Sequence, residues 1–150
     1  MSEITYGAAP YKSGDYDTIL KIRDKIMREP IGLALSEQDI ADDDVTVHLW
    51  LRVCGEIQAT AKLVPEDETT VRLRMVAVLR ESQGLGLGRL MVQFCESYAA
   101  RHGYARIIFD ARLSVEGFYH KLGYKTFGDV YEKVGTPHVF MSKDIDTIKT

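Results

Sequence analysis

The sequence predicts an α/β fold of the α+β kind, with a mixed, mostly antiparallel central sheet of about seven strands and about four helices. Three observations carry this expectation. From residue 46 to 78 the hydrophobic period is two, in three runs separated by turn residues, which is the pattern of an antiparallel meander. From Met75 to Tyr98 an apolar strand, a loop with three alternating glycines and an amphipathic helix follow one another, and residues 105–109 add a short apolar strand. That order makes one right-handed crossover between parallel strands. Residues 124–133 and 138–143 close the chain as a hairpin.

The 150 residues, 45% of them hydrophobic, fit a single domain, 1–150. A chain of this size buries roughly 68 to 70% of its unfolded surface. Nineteen Lys plus Arg against twenty-two Asp plus Glu leave a net charge of −3, which offers no basic footprint for nucleic acid or an anionic membrane. No apolar run approaches the roughly 18 residues needed to span a bilayer, and the N-terminus lacks a basic region followed by an apolar stretch. A soluble, cytoplasmic protein is expected. Cys54 and Cys95 show no metal-ligand spacing, so no metal is expected and both read as reduced core residues without chemistry.

Each element has a local cause. Residues 4–9 form a first strand ended by Pro10, after which Ser13 or Asp15 caps a helix. Tyr16, Ile19, Leu20, Ile26 and Met27 recur at helical spacing over about four turns, and Pro30 ends the run. The apolar residues 31–35 form a lid over the core or a substrate-lining loop. Ser36 and Asp39 cap one short turn, and Asp42, Asp43 and Asp44 read as a solvated acidic loop, able also to attract a cationic amine. Val47, Leu49, Leu51 and Val53 then alternate with His48, Trp50 and Arg52 as a half-buried strand, which turns at Gly55-Glu56 into its partner, 57–64. In the third strand, 70–78, Val71, Leu73 and Met75 alternate with Arg72 and Arg74 until Val76-Ala77-Val78 breaks the pattern, by a bulge or by a fully buried end. Leu87, Leu90, Met91, Phe94, Cys95, Tyr98 and Ala99 line one face of the clearest helix, which Gly103 caps. Ser114 caps a last helix, 115–122, and residues 135–137 turn the final hairpin.

Glycines before a helix uncover backbone amides at the positive end of its dipole, which is a socket for phosphate. In Gln83-Gly84-Leu85-Gly86-Leu87-Gly88 the dinucleotide fingerprint Gly-x-Gly-x-x-Gly fails in both registers, because Arg89 or Met91 stands where the third glycine belongs. Asp110, about twenty residues on, does sit where a ribose-binding acid would lie. A phosphate loop of the Gly-Lys-Ser/Thr type fails as well, since Gly88 is followed by Arg89-Leu90.

Val78, then Gln83-Gly84-Leu85-Gly86-Leu87-Gly88-Arg89-Leu90, and later Phe118-Tyr119-His120-Lys121-Leu122-Gly123-Tyr124 resemble the two signature motifs of the GCN5-related N-acetyltransferase (GNAT) superfamily. Its first motif reads Arg or Gln, two residues, Gly, one residue, Gly or Ala. Phe118-Tyr119 together with Pro137-His138-Val139-Phe140-Met141 is similar to the small bacterial subgroup typified by the ElaA and YjcF proteins. The resemblance implies an acyl-CoA N-acyltransferase fold whose strands splay apart at the acyl-CoA site. It implies acetyl-CoA as cosubstrate, with Val76, Ala77 and Val78 beside the pantetheine arm and Gln83 to Arg89 (Gly84, Leu85, Gly86, Leu87 and Gly88 between them) around the pyrophosphate. It implies acetyl transfer to a primary amine of a small molecule or peptide, with Tyr119 as general acid, and it admits a homodimer. Many family members place a glutamate base on the central strand, where Arg72 and Arg74 stand here, and an arginine is no base at neutral pH. An imidazole suits proton removal near neutral pH, so His138 is the candidate base, and Arg72, Arg74 and His138 are candidate acceptor-binding residues. The second reading is a CoA-binding module of the same fold without turnover.

Overall fold

The computed structural model describes residues 3–145. Its strands are β1 (Ile4–Ala9), β2 (Val47–Val53), β3 (Glu56–Pro65), β4 (Thr70–Val78), β5 (Arg106–Arg112), β6 (Lys125–Lys133) and β7 (Thr136–Asp144). Its α-helices are α1 (Gly14–Arg23), α2 (Glu37–Ile40), α3 (Leu87–Arg101) and α4 (Glu116–Lys121). The seven strands make one mixed sheet in the order β1-β2-β3-β4-β5-β7-β6. The fold class expected from the sequence is the one observed. No helix among the described residues is long and apolar enough to cross a membrane. The chain divides into two compact units, Met1–Val64 with Leu73–Cys95, and Pro65–Arg72 with Glu96–Thr150, so β4 and α3 contribute to both.

In the first unit, Ser13 caps α1 by accepting from the Tyr16 amide at 3.2 Å, as its hydroxyl predicts. The helix is shorter than its apolar spacing suggests. It passes at Asp24 into a π-turn, Asp24–Arg28, and then a 3-10 turn, Glu29–Ile31, with Pro30 and the left-handed Gly32 stopping any continuation. Tyr16, Ile19 and Ile22 of α1 pack on Ala9, Ile57 and Ala77 of the sheet. Gly7 lies under the Trp50 indole, where a Cβ would fall 2.2 Å from Cζ2.

The β2–β3 turn falls one residue earlier than expected, at Cys54 and Gly55, with φ of 52° and 87°. Positive φ at both central residues matches the strand twist of a two-residue hairpin, and this outweighs the strain on a non-glycine residue. The same geometry recurs at Val134 (φ 52°) and Gly135 (φ 69°), so Pro137 lies inside β7 opposite Glu132 rather than in the turn.

The acidic run is the largest departure. Asp43 is fully buried, and Lys62 of β3, also fully buried, donates to Asp43 Oδ1 and Asp42 Oδ1 at 2.9 Å each and to the Asp39 carbonyl at 3.1 Å. Tyr16 Oη donates to Asp43 Oδ2 at 2.6 Å. His48 is buried beside them, and its proton position follows from its partners. The Asp43 carbonyl can only accept, so Nε2 donates to it at 2.8 Å, and Arg23 Nη1 donates to the Nδ1 lone pair at 3.1 Å. Burial pushes the His48 pKa down, and the Arg23 and Lys62 charges add to this. Burial likewise pushes the Arg23 guanidinium down to about 10. Isolated buried charges are costly, so these acids are inside only because Lys62 is inside with them. Outside this cluster, Arg28 binds Asp39 through both carboxylate oxygens, at 2.8 and 3.0 Å, and holds its carboxyl down at about 2.

In the second unit β5 pairs in parallel with Thr70, Val71 and Arg72 of β4 and antiparallel with β7 along its length. The expected strand 105–109 thus runs on to Arg112. Ser114 does not cap α4. It lies in a 3-10 turn, Leu113–Val115, that leads into the helix, and Gly123 (φ 95°) ends it as expected.

Because the folded-state pKa of His48 lies below its unfolded value of 6.5, the unfolded chain takes up that proton first. Stability is therefore expected to be flat above about pH 6.5 and to fall as the pH drops below it, with a further loss between about 4 and 2 as Asp39 titrates. Thermal melts of the wild type and of His48→Gln across pH 5–8 measure the first step, which the variant should lack.

Candidate functional site

Strand β4 leads into the glycine loop, and its path is set at Met75, which has a φ of 52° in the middle of the strand. Arg74 reaches Asp42 at 3.9 Å on the face that α1 covers, and Ala77 packs against α1 on that same face. In a regular strand residues 74 and 77, three apart, would face opposite ways. One extra residue at Met75 turns Ala77 back, so the break in alternation is a bulge, not a buried end.

Beyond Val78 the chain is tied down by short bonds. The Leu79 amide donates to the Gln58 carbonyl at 2.9 Å, Ser82 Oγ donates to Gln58 Oε1 at 2.5 Å, and the Gln83 side-chain amide donates back to the Val78 carbonyl at 3.0 Å. Gly84 and Gly86 then take φ of 85° and 78°, and a Cβ on either would meet nothing within 4 Å. Glycine is required there by backbone conformation and not by crowding. The Gly86 carbonyl accepts from Leu90 at 3.2 Å, which starts α3 directly after the loop. The first turn of α3 has no acidic residue. It carries Arg89, exposed and with no hydrogen-bond or ion-pair partner among the described residues. A cation at the positive end of a helix dipole is unfavourable alone and favourable once an anion joins it. Glycine amides, a helix N-terminus and a partnerless arginine together suit a pyrophosphate.

Arg72 and Arg74 are half-exposed and already engaged. Arg72 Nε donates to Glu66 Oε1, and Arg74 stands beside Asp42, whose carboxyl would rise with burial but is held low by Lys62 and Arg74.

Tyr119, on α4, is buried against Phe109, with ring centroids 4.5 Å apart, and lies near Phe118 and Tyr124. His138, on β7, pairs with Arg112 and therefore shares the face of Asp110, opposite to that of Phe109. The second unit thus holds the two expected catalytic residues on opposite faces of its sheet. His138 Nδ1 lies 2.8 Å from the Thr136 carbonyl, which can only accept, so Nδ1 carries the proton and Nε2 the lone pair.

Residues not anticipated from the sequence stand on the His138 face. Asp110 accepts from Tyr131 at 2.6 Å and Lys133 at 2.7 Å. Burial alone would raise its carboxyl, but these two bonds and the Lys133 charge hold it low. The signal was present as the lone acid of a strand whose other residues are apolar apart from the arginines at its two ends. In the first unit a separate cleft of about 420 Å³ is lined by residues of α1 and the start of β3, among them Lys21, Lys25, Arg52, Asp15, Glu56 and Glu81.

Residues 30–145 match the model of the Acetyltransferase (GNAT) domain family. A candidate acetyltransferase of Bacillus subtilis (strain 168) is 29% identical over 89% of this chain and 92% of its own length. The crystal structure of Escherichia coli ElaA is similar with a TM-score of 0.80 at 21% identity, covering 95% of this chain and 99% of that one. A GNAT family acetyltransferase from Elizabethkingia anophelis, solved with acetyl-CoA bound, is similar with a TM-score of 0.74 at 16% identity, over 95% and 98% of the two chains.

Replacing Gly86 with Ala is expected to cost about 1–2 kcal/mol through its left-handed backbone alone. Urea unfolding should show that loss, and Arg89→Ala, which leaves the backbone alone, should not.

Proposed function

Because the chain belongs to the GNAT acetyltransferase family, we propose that it transfers an acetyl group from acetyl-CoA to a primary amine of a small molecule or peptide, as one catalytic domain. The observation that carries this reading is the glycine loop at the start of α3, with an exposed Arg89 that has no partner among the described residues and no acid in the first turn. The amides from Gln83 to Arg89 would hold the pyrophosphate, and the backbone of Val76 to Val78 the pantetheine arm. Acetyl-CoA supplies the acyl group as a reactive thioester. One amide of this strand would polarise the thioester carbonyl. Phe118-Tyr119 with Pro137-His138-Val139-Phe140-Met141, together with the structural likeness to ElaA, supports reading the chain as a member of that subgroup.

Tyr119 is the proposed general acid, giving its phenolic proton to the departing sulfur. His138 is the proposed base, since its Nε2 lone pair is the one not committed to the backbone. An acid and a base on opposite faces of a sheet suit a reaction in which the amine arrives from one side and the thiol leaves on the other. No carboxylate on β4 is needed for this division of roles, and Arg72 and Arg74 are left to shape the acceptor side.

Thiol release from acetyl-CoA across a panel of primary amines tests the reading. Tyr119→Phe should lower kcat on the order of 10²-fold or more while acetyl-CoA binds as before. Unchanged turnover would remove Tyr119 from the mechanism, and stoichiometric binding without release on any amine would favour a binding module.

A further inference from the structure

The second unit contains an ammonium site that is filled by the chain itself. Asp110 is 11% exposed at its side chain, and Lys133 Nζ lies 2.7 Å from its Oδ2. Tyr131 Oη donates to the same oxygen at 2.6 Å, so among the described residues Oδ1 has no partner. Lys133 comes from the end of β6, next to the Val134–Gly135 turn, and its side chain is 45% exposed. It is thus an ammonium on a flexible, solvated stem, set on a carboxylate that is itself nearly buried. The carboxylate belongs to the sheet, whereas the lysine can leave.

Beside this carboxylate runs a row of rings. Asp110 pairs with Phe140 across β5 and β7, Phe140 pairs with Phe127 across β7 and β6, and His138 pairs with Tyr131, so all of them share one face. Tyr131 stacks on Phe140 with centroids 4.9 Å apart, and Phe140 on Phe127 at 5.6 Å. Phe127 is 41% exposed, so the row is not sealed in the core. Of the nearby cations, Arg72 is matched by Glu66, Arg106 lies over the Phe127 ring with its guanidinium carbon 5.8 Å from the centroid, and Arg112 stands two residue pairs further along, opposite His138. A carboxylate beside partly exposed stacked rings fits one class of ligand, a primary ammonium on an aromatic or apolar skeleton.

We propose that Asp110 anchors the ammonium group of the acceptor, that the rings of Tyr131, Phe140 and Phe127 seat its apolar skeleton, and that Lys133 occupies the anchor until an acceptor displaces it. The proposal rests on the acyltransferase reading for its consequence, and on the second unit's own geometry for the site. Asp110 acts here as a specificity-determining residue, and Lys133 as an internal competitor.

The test uses the full chain with acetyl-CoA and 2-phenylethylamine. Lys133→Ala should lower the KM for the amine several-fold, because the competitor is gone. Asp110→Asn should raise it on the order of tenfold or more, as loss of a charge-assisted contact predicts, while the KM for acetyl-CoA stays put. The neutral 2-phenylethanol should not compete. An amine KM indifferent to Lys133→Ala, or amine and acetyl-CoA KM values that rise together in Asp110→Asn, would overturn the site while leaving the acyltransferase reading intact. If no variant turns over, calorimetric titration with 2-phenylethylamine decides. Binding that tightens in Lys133→Ala and vanishes in Asp110→Asn would uphold the site although the acyltransferase reading had failed, and no binding to any variant would overturn it.

Discussion

A single residue in a left-handed conformation shapes strand β4. Met75 is neither glycine nor asparagine, and its φ of 52° costs about 1–2 kcal/mol that the surrounding sheet must offset. Its effect is to let Arg74 and Ala77 share the face under α1, the first beside Asp42 and the second in the apolar cluster. The strand therefore keeps its core contacts while its backbone departs from a regular ladder, immediately before the loop that opens toward α3. Bulges of this kind are found beside active sites because they re-aim a strand without giving up its packing.

The same face of the first unit is pinned by Lys62. Its ammonium holds α2 and the chain that follows it at three points, Asp39, Asp42 and Asp43, and Tyr16 and His48 complete the cluster from α1 and β2. A buried pair of this sort contributes little net stability, but removal of one partner costs about 3–5 kcal/mol. The cluster ties the acidic segment to α1, β2 and β3 through these contacts. Through Asp42 it also holds Arg74, so the arginine on the central strand is part of a fixed arrangement and not a solvated charge.

Much of this was legible in the sequence. The meander, the glycine loop, the amphipathic helix and the crossover strand all follow from period and from glycine, because those signals are local. The turns at Cys54 and Val134 were displaced by one residue, since hairpin twist outweighed the preference of a non-glycine residue for negative φ. The acidic run read as solvated because nothing local reveals that a lysine twenty residues later is buried against it. Asp110 was considered for a ribose and then set aside, and its real neighbours, Tyr131 and Lys133, lie on a strand that no sequence spacing connects to it. Pairwise burial of charge is a tertiary fact, and both misses have that cause. The motif residues Gln83 to Arg89 lie where the pattern put them, on a loop and the first turn of a helix.

The claim on which the account depends is that acetyl-CoA is held by the end of β4 and the glycine loop. Titration of the ¹⁵N-labelled chain with acetyl-CoA, followed by amide chemical shifts, tests it directly. The account predicts saturable shifts centred on Val76 to Val78 and on Gln83 to Arg89. Shifts centred instead on Lys21, Lys25 and Arg52 at the cleft beside α1, or no saturable shifts at all, would contradict it.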